Sequence, residues 1–164
     1  MSRALTELEI VQNPALGGYT LWRFGAGFQS EDGRPAALPL AFLVLPLLLH
    51  QPTLKMITST QMASGLALFA AKLGQERENL IAVHERALAL RRLSLQSIAM
   101  GVNNRLLTID YDAATLRANT ADEALRKPSL PERIRSFSGA ADKLGYWFSK
   151  LGLHQVASTL AVEF

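Results

Sequence analysis

Cysteine is absent from the sequence, which at once excludes disulfides, thiolate zinc sites and a thiol nucleophile. Charge is scarce as well. Charged residues make up 19% of the chain, and 17 Lys plus Arg against 14 Asp plus Glu leave a net charge of +3. That is too small for the broad basic footprint that nucleic-acid backbone binding usually shows. No apolar run is long enough to span a bilayer. Leu38–Leu49 reads LPLAFLVLPLLL and is interrupted by Pro46, whereas a spanning helix needs about 20 residues. The run is expected to be a buried helix, without membrane contact. The first turns of the chain carry Glu7 and Glu9 rather than a continuous apolar stretch, so no secretory leader is expected and a cytoplasmic location follows.

The catalogue of catalytic motifs is equally empty. There is no phosphate loop of the G-x-x-x-x-G-K-[ST] type, no G-x-S-x-G elbow and no H-E-x-x-H helix. Gly25-Ala26-Gly27 opens like a dinucleotide fingerprint, but Ser30 stands at the third glycine position and no strand precedes it. No cofactor is expected. What the chain does have is apolar residues, at 49%, a surplus suited to a subunit that hides part of its surface on a partner. Its 164 residues suit one domain with one core.

Along the chain, residues 1–12 read as an N-terminal arm, 13–104 as a helical part, 105–119 as a β-hairpin wing and 129–164 as a C-terminal helix and tail. Asn13 before Pro14 is an N-cap followed by a proline at the helix start. The helix that follows contains Gly17, Gly18, Gly25 and Gly27, each costing about 1 kcal/mol against alanine, so a neighbouring backbone is expected to approach closely. Ser30–Pro35 is a polar turn. Pro39 opens the apolar helix, which bends or stops near Pro46, with His50 placed to cap its carbonyl end. Thr53 offers a cap for a short helix, and Thr58, Ser59 and Thr60 one for a helix over Met62–Leu73 that Gly74 ends. A single long helix is then predicted from Gln75 to Val102, with Ile81, Leu88, Leu95, Ile98 and Val102 on one stripe. Arg105–Asp110 and Thr115–Asn119 form the two strands of a hairpin. Asp122–Lys127 reads as one helical turn. A last helix over Pro131–Leu151 takes Ser129 as cap, with Ile134, Phe137, Ala141, Leu144, Trp147 and Phe148 facing inward. The fold class is therefore α+β, mostly α: a helical bundle with one β-hairpin, winged-helix-like.

No catalytic set emerges from the polar residues. His50, His84 and His154 are isolated in sequence. Asp110 and Asp112 form a tight acidic pair whose simplest role is to shape a turn, although with a histidine they would make a metal-dependent nuclease site. Arg86, Arg91, Arg92, Arg105 and Arg117 are the candidate contacts to phosphate or to an acidic partner. Arg126, Lys127, Arg133 and Arg135 form a second basic group. Trp22, Phe24, Trp147 and Phe148 sit at helical spacing, which favours core packing, and they double as a candidate partner interface because tryptophan often anchors one.

Several stretches taken together resemble the middle component of bacterial three-component ABC systems. They are Asn13-Pro14-Ala15-Leu16-Gly17 into Leu21-Trp22-Arg23-Phe24, Pro39-Leu40 through Phe42–His50, Lys143–Phe148, and Leu160-Ala161-Val162. The tail departs from the expected pattern, with Ala161 where that family suggests glycine. The resemblance implies a non-enzymatic accessory subunit that joins an SMC- or Rad50-like ATPase to an effector, related to Lamassu-type defence against phages and plasmids, with DNA contact within the complex. The competing readings are a stand-alone winged-helix DNA-binding regulator and the nuclease built on Asp110 and Asp112.

Overall fold

The computed structural model describes residues 13–119 and 132–164, the first three of the latter by backbone alone. The arm 1–12, the turn Asp122–Lys127, Ser129 and Pro131 lie outside the described residues, as do the side chains of Arg133 and Ile134.

Helix α1 spans Pro14–Phe28, and the Asn13 side chain accepts the Ala15 N–H at 2.9 Å, the expected N-cap. It packs against α7 (Glu132–Ser149), α6 (Arg91–Asn103) and strand β3 (Thr115–Ala118). The expected close approach is real at these contacts. A Cβ on Gly27 would overlap the Asp142 carbonyl of α7, and a Cβ on Gly145 of α7 would overlap the Phe24 carbonyl of α1. Glycine weakens each helix alone and is required where two backbones meet.

After the turn, β1 (Ala36–Ala37) leads through a 3₁₀ turn, Leu38–Leu40, into α2 (Ala41–Leu48). Leu43, Val44 and Leu47 are fully buried, so the charge-free stretch is core, as its length implied. Among the described residues no single helix is long and apolar enough to cross a membrane. The Leu38–Leu48 segment turns by 103° into α3 (Gln51–Ser59). The expected caps in this region are reassigned. His50 is the N-cap residue of α3, its Nδ1 2.7 Å from Thr53 Oγ1, and Thr53 lies inside that helix. Thr60 donates back to the Met56 carbonyl at 2.7 Å and so closes α3 rather than opening the next helix. Lys143 of α7 completes that end by donating to the carbonyls of Ile57 and Thr60 at 3.1 and 2.8 Å.

A 3₁₀ turn at Met62–Ser64 precedes α4 (Gly65–Leu73), which Gly74 ends. The predicted long helix is two helices, α5 (Arg77–Ala89) and α6, joined at Leu90 with φ −98° and ψ 8°. Neither glycine nor proline marks this break. Strands β2 (Leu107–Asp110) and β3 form the expected antiparallel hairpin, and β1 adds a third strand in the order β1-β3-β2. Arg105 and Leu106 belong not to a strand but to the end of α6, where the Leu106 and Arg105 N–H groups donate to Gly101 and Val102 carbonyls at 2.9 and 3.1 Å. This is a Schellman motif with Arg105 at φ 61°. The same motif ends α8 (Leu153–Thr159). There Val162 and Ala161 donate to Ala157 and Ser158, and Ala161 has φ 54°. The fold is α+β and mostly α, with buried side chains from α1 through the tail in one apolar cluster.

Candidate docking surface

The four aromatic side chains proposed for a partner interface lie inside the protein. Trp22, Phe24, Trp147 and Phe148 are all buried. The indoles satisfy their N–H groups on backbone carbonyls, Trp22 on Asn119 at 2.7 Å and Trp147 on Met62 at 2.9 Å. Phe24 meets Phe148 edge-on at 5.7 Å, and Phe69 stacks on Trp147 at 5.6 Å. Their helical spacing reflects core packing, and that placement removes them from any surface.

The five candidate arginines do not form one patch. Arg86 is half-buried and structural. Its Nε donates to the Pro46 carbonyl at 3.2 Å and its Nη2 reaches Thr53 Oγ1 at 3.5 Å. It thereby tends the carbonyl end of α2, the task assigned in sequence to His50, and burial lowers its pKa. The same burial lowers the His50 pKa, and the Arg86 charge adds to the effect, so a charged imidazole there is disfavoured. Arg117 is exposed on β3, opposite Thr108, and donates to the Gly33 carbonyl at 3.0 Å. Arg91 and Arg92 open α6 and Arg105 follows its end, all three exposed. The helix separates them by roughly 20 Å at 1.5 Å per residue.

The acidic pair shapes a turn. Asp110 accepts the N–H groups of Asp112 and Ala113, each at 3.0 Å. His84 accepts the Glu163 N–H at 3.3 Å, and His154 is exposed on α8. Among the described residues no three His, Asp or Glu side chains gather where a metal ion could sit.

Most of the predicted stripe lies on the outside of the protein. Of the predicted stripe only Ile98 is buried, whereas Ile81, Leu88, Leu95 and Val102 are 49%, 61%, 50% and 37% exposed. The buried face of α6 is Leu93, Ser94, Ser97, Ile98 and Gly101, and its small residues Ser97 and Gly101 accept Gly17 and Gly18 of α1. The hydroxyls of Ser94 and Ser97 are buried there without a partner among the described residues. On α5 the buried side is Val83, with Leu80 and Ala87 packed beside it. Each helix thus presents two aliphatic side chains seven residues apart, two turns along one face. The signal in the sequence was available: Ser94, Ser97 and Gly101 are small residues at spacings of three and four, which puts them on one helix face that a glycine-bearing helix can approach closely. Tyr111 at the hairpin tip and Phe164 are also exposed, at 82% and 61%.

Over residues 1–164 the chain matches the family model of the ABC-three component (ABC-3C) system Middle Component 3. No curated protein and no solved structure gives a significant match.

Proposed function

The chain belongs to the Middle Component 3 family of ABC-three component systems, and from that premise we propose that it is a non-enzymatic accessory subunit linking an SMC- or Rad50-like ATPase to an effector. The system it serves acts against phages or plasmids, from the cytoplasm. A middle component implies partners, and one observation carries the adaptor reading: four large aliphatic side chains stand exposed on α5 and α6 while the interior is filled without them. Solvent-facing apolar surface in pairs along helices is what a subunit buries on assembly. The arrangement of β1 beside the hairpin supports the winged-helix comparison, and the whole chain then acts as one docking domain.

A stand-alone DNA reader finds less support. Arg86 is committed to the fold, Arg91 and Arg92 are a helix length from Arg105, and the hairpin tip carries Asp110 and Asp112, which repel phosphate. The nuclease reading finds none, because Asp110 is engaged by its own loop.

Co-expression with the other components of its system tests the proposal. A tagged chain is expected to bring them down in a fixed ratio that survives nuclease treatment. Elution as a free monomer beside properly expressed neighbours would end the adaptor reading.

A further inference from the structure

The outer face of α6 has a composition that the fold itself does not explain. Leu95 and Val102 lie two turns apart and are exposed, while the opposite side of the helix is sealed against α1. Arg91 and Arg92 precede Leu95 by four and three residues, which places one on each side of it a turn earlier. Arg105 stands past Val102. The sequence has no carboxylate between Glu85 and Asp110. The apolar ridge is therefore flanked by cations at both ends, with no carboxylate of its own segment between them.

We propose that this face, Leu95 and Val102 rimmed by Arg91, Arg92 and Arg105, receives an acidic amphipathic α-helix from another component of the system. The inference rests on the accessory-subunit reading and adds to it the place and the chemistry of one contact.

Three observations select this occupant. Side chains repeating every seven residues make a ridge that a second helix can follow, because its own apolar positions recur at a matching interval. The rim then sets the sign of the partner: guanidiniums pair with carboxylates in forked, charge-assisted bonds, so Asp and Glu flank the partner's apolar seam. A second copy of this chain fits poorly, since it would bring arginines against arginines. A duplex satisfies the arginines but offers little apolar surface to Leu95 and Val102. Arg105 is the third observation. It occupies a left-handed position, φ 61°, that glycine adopts without steric cost, and the bonds that close the motif there come from backbone groups and from the Asn104 and Asn119 side-chain amides. An arginine at that position serves something other than the turn.

The test is co-purification of the tagged full-length chain with the other components, in four forms. These are the wild type, Leu95→Lys with Val102→Lys, Arg91→Glu with Arg92→Glu, and Arg91→Gln with Arg92→Gln. The substituted side chains are exposed, so each variant is expected to unfold at the wild-type temperature. Partner recovery is expected to fall about tenfold or more for the Lys and Glu pairs, a difference of about one decade in Kd. Raising salt from about 0.1 to about 0.5 M is expected to weaken the wild type more than the Gln pair, because screening acts on the charges those residues supply.

Equal partner recovery by all four forms overturns the proposed surface while leaving the accessory reading standing. Wild-type failure to assemble overturns the accessory reading and this contact with it. A homodimer broken by the Leu95→Lys, Val102→Lys form assigns the face to a second copy. Duplex binding by the isolated chain, lost in the Arg91→Glu, Arg92→Glu form, assigns it to DNA. Either result overturns the acidic helix.

Discussion

Arg105→Gly and Ala161→Gly make the same backbone change at two Schellman positions, yet their effects on function are expected to differ. Both native residues sit in the left-handed region, at φ 61° and 54°. A side chain there costs about 1–2 kcal/mol relative to the right-handed region. Glycine removes that cost but adds about 0.4–1 kcal/mol of unfolded-chain entropy. The difference is a gain of about 0.5–1 kcal/mol for each substitution, or about 1–4 °C in Tm for a chain of this size. Thermal and urea unfolding measure it, with Ala157→Gly as a control: in a right-handed helical position the same change costs about 1 kcal/mol. Docking separates the two sites. Ala161→Gly, far along the chain from α6, leaves partner recovery as it was, whereas Arg105→Gly yields a more stable protein that recovers less partner. A loss of stability at both positions would refute the left-handed geometry. A gain at both with unchanged recovery would refute the role of Arg105.

Further predictions concern the fold that supports this face. Acidification is expected to destabilise the protein through His50. Burial and Arg86 lower its folded pKa, so below the ordinary histidine value of about 6.5 the unfolded chain binds more protons, and the contribution present above that pH is lost as pH falls from there through the lowered folded pKa. His50→Gln should flatten that part of the profile of urea midpoint against pH, and an unchanged slope would exclude His50 as its source. Arg86→Met leaves the Pro46 carbonyl without its partner and is expected to cost about 1–3 kcal/mol in chemical denaturation, whereas a surface arginine would cost almost nothing. Gly145→Ala puts a methyl group into the Phe24 carbonyl and is expected to cost about 3 kcal/mol or more, measurable as a fall in Tm; a neutral result would mean that α1 and α7 pack less closely than described.

Much of the architecture is legible in local chemistry. Asn13-Pro14 fixes the start of α1, the glycines forecast close packing, and the aliphatic runs around Tyr111–Ala114 give the hairpin. Three features are not legible, each for a physical reason. The α5–α6 break at Leu90 lies between good helix formers and is set by tertiary packing, with α5 on α2 and α6 on α1. Strand β1 is only two residues, too short for any alternation. The inward face of α6 escapes a hydrophobicity rule because serine and glycine sit on it beside Leu93 and Ile98, so the bulkier Leu95 and Val102 stand out as the apolar stripe. Arg86 shows the converse, since a charge in sequence suggests solvent while the open carbonyl of Pro46 draws it inward. The surface was thus hidden by the same residues that define it.

Because the chain contains no cysteine, a single Leu95→Cys substitution places one thiol on the outer face of α6, and its maleimide labelling rate reports directly on whether that face is covered. Rapid modification of the isolated chain is expected, with at least about a tenfold slowing in the assembly with its system components. Equal labelling rates in the free and assembled protein would contradict it.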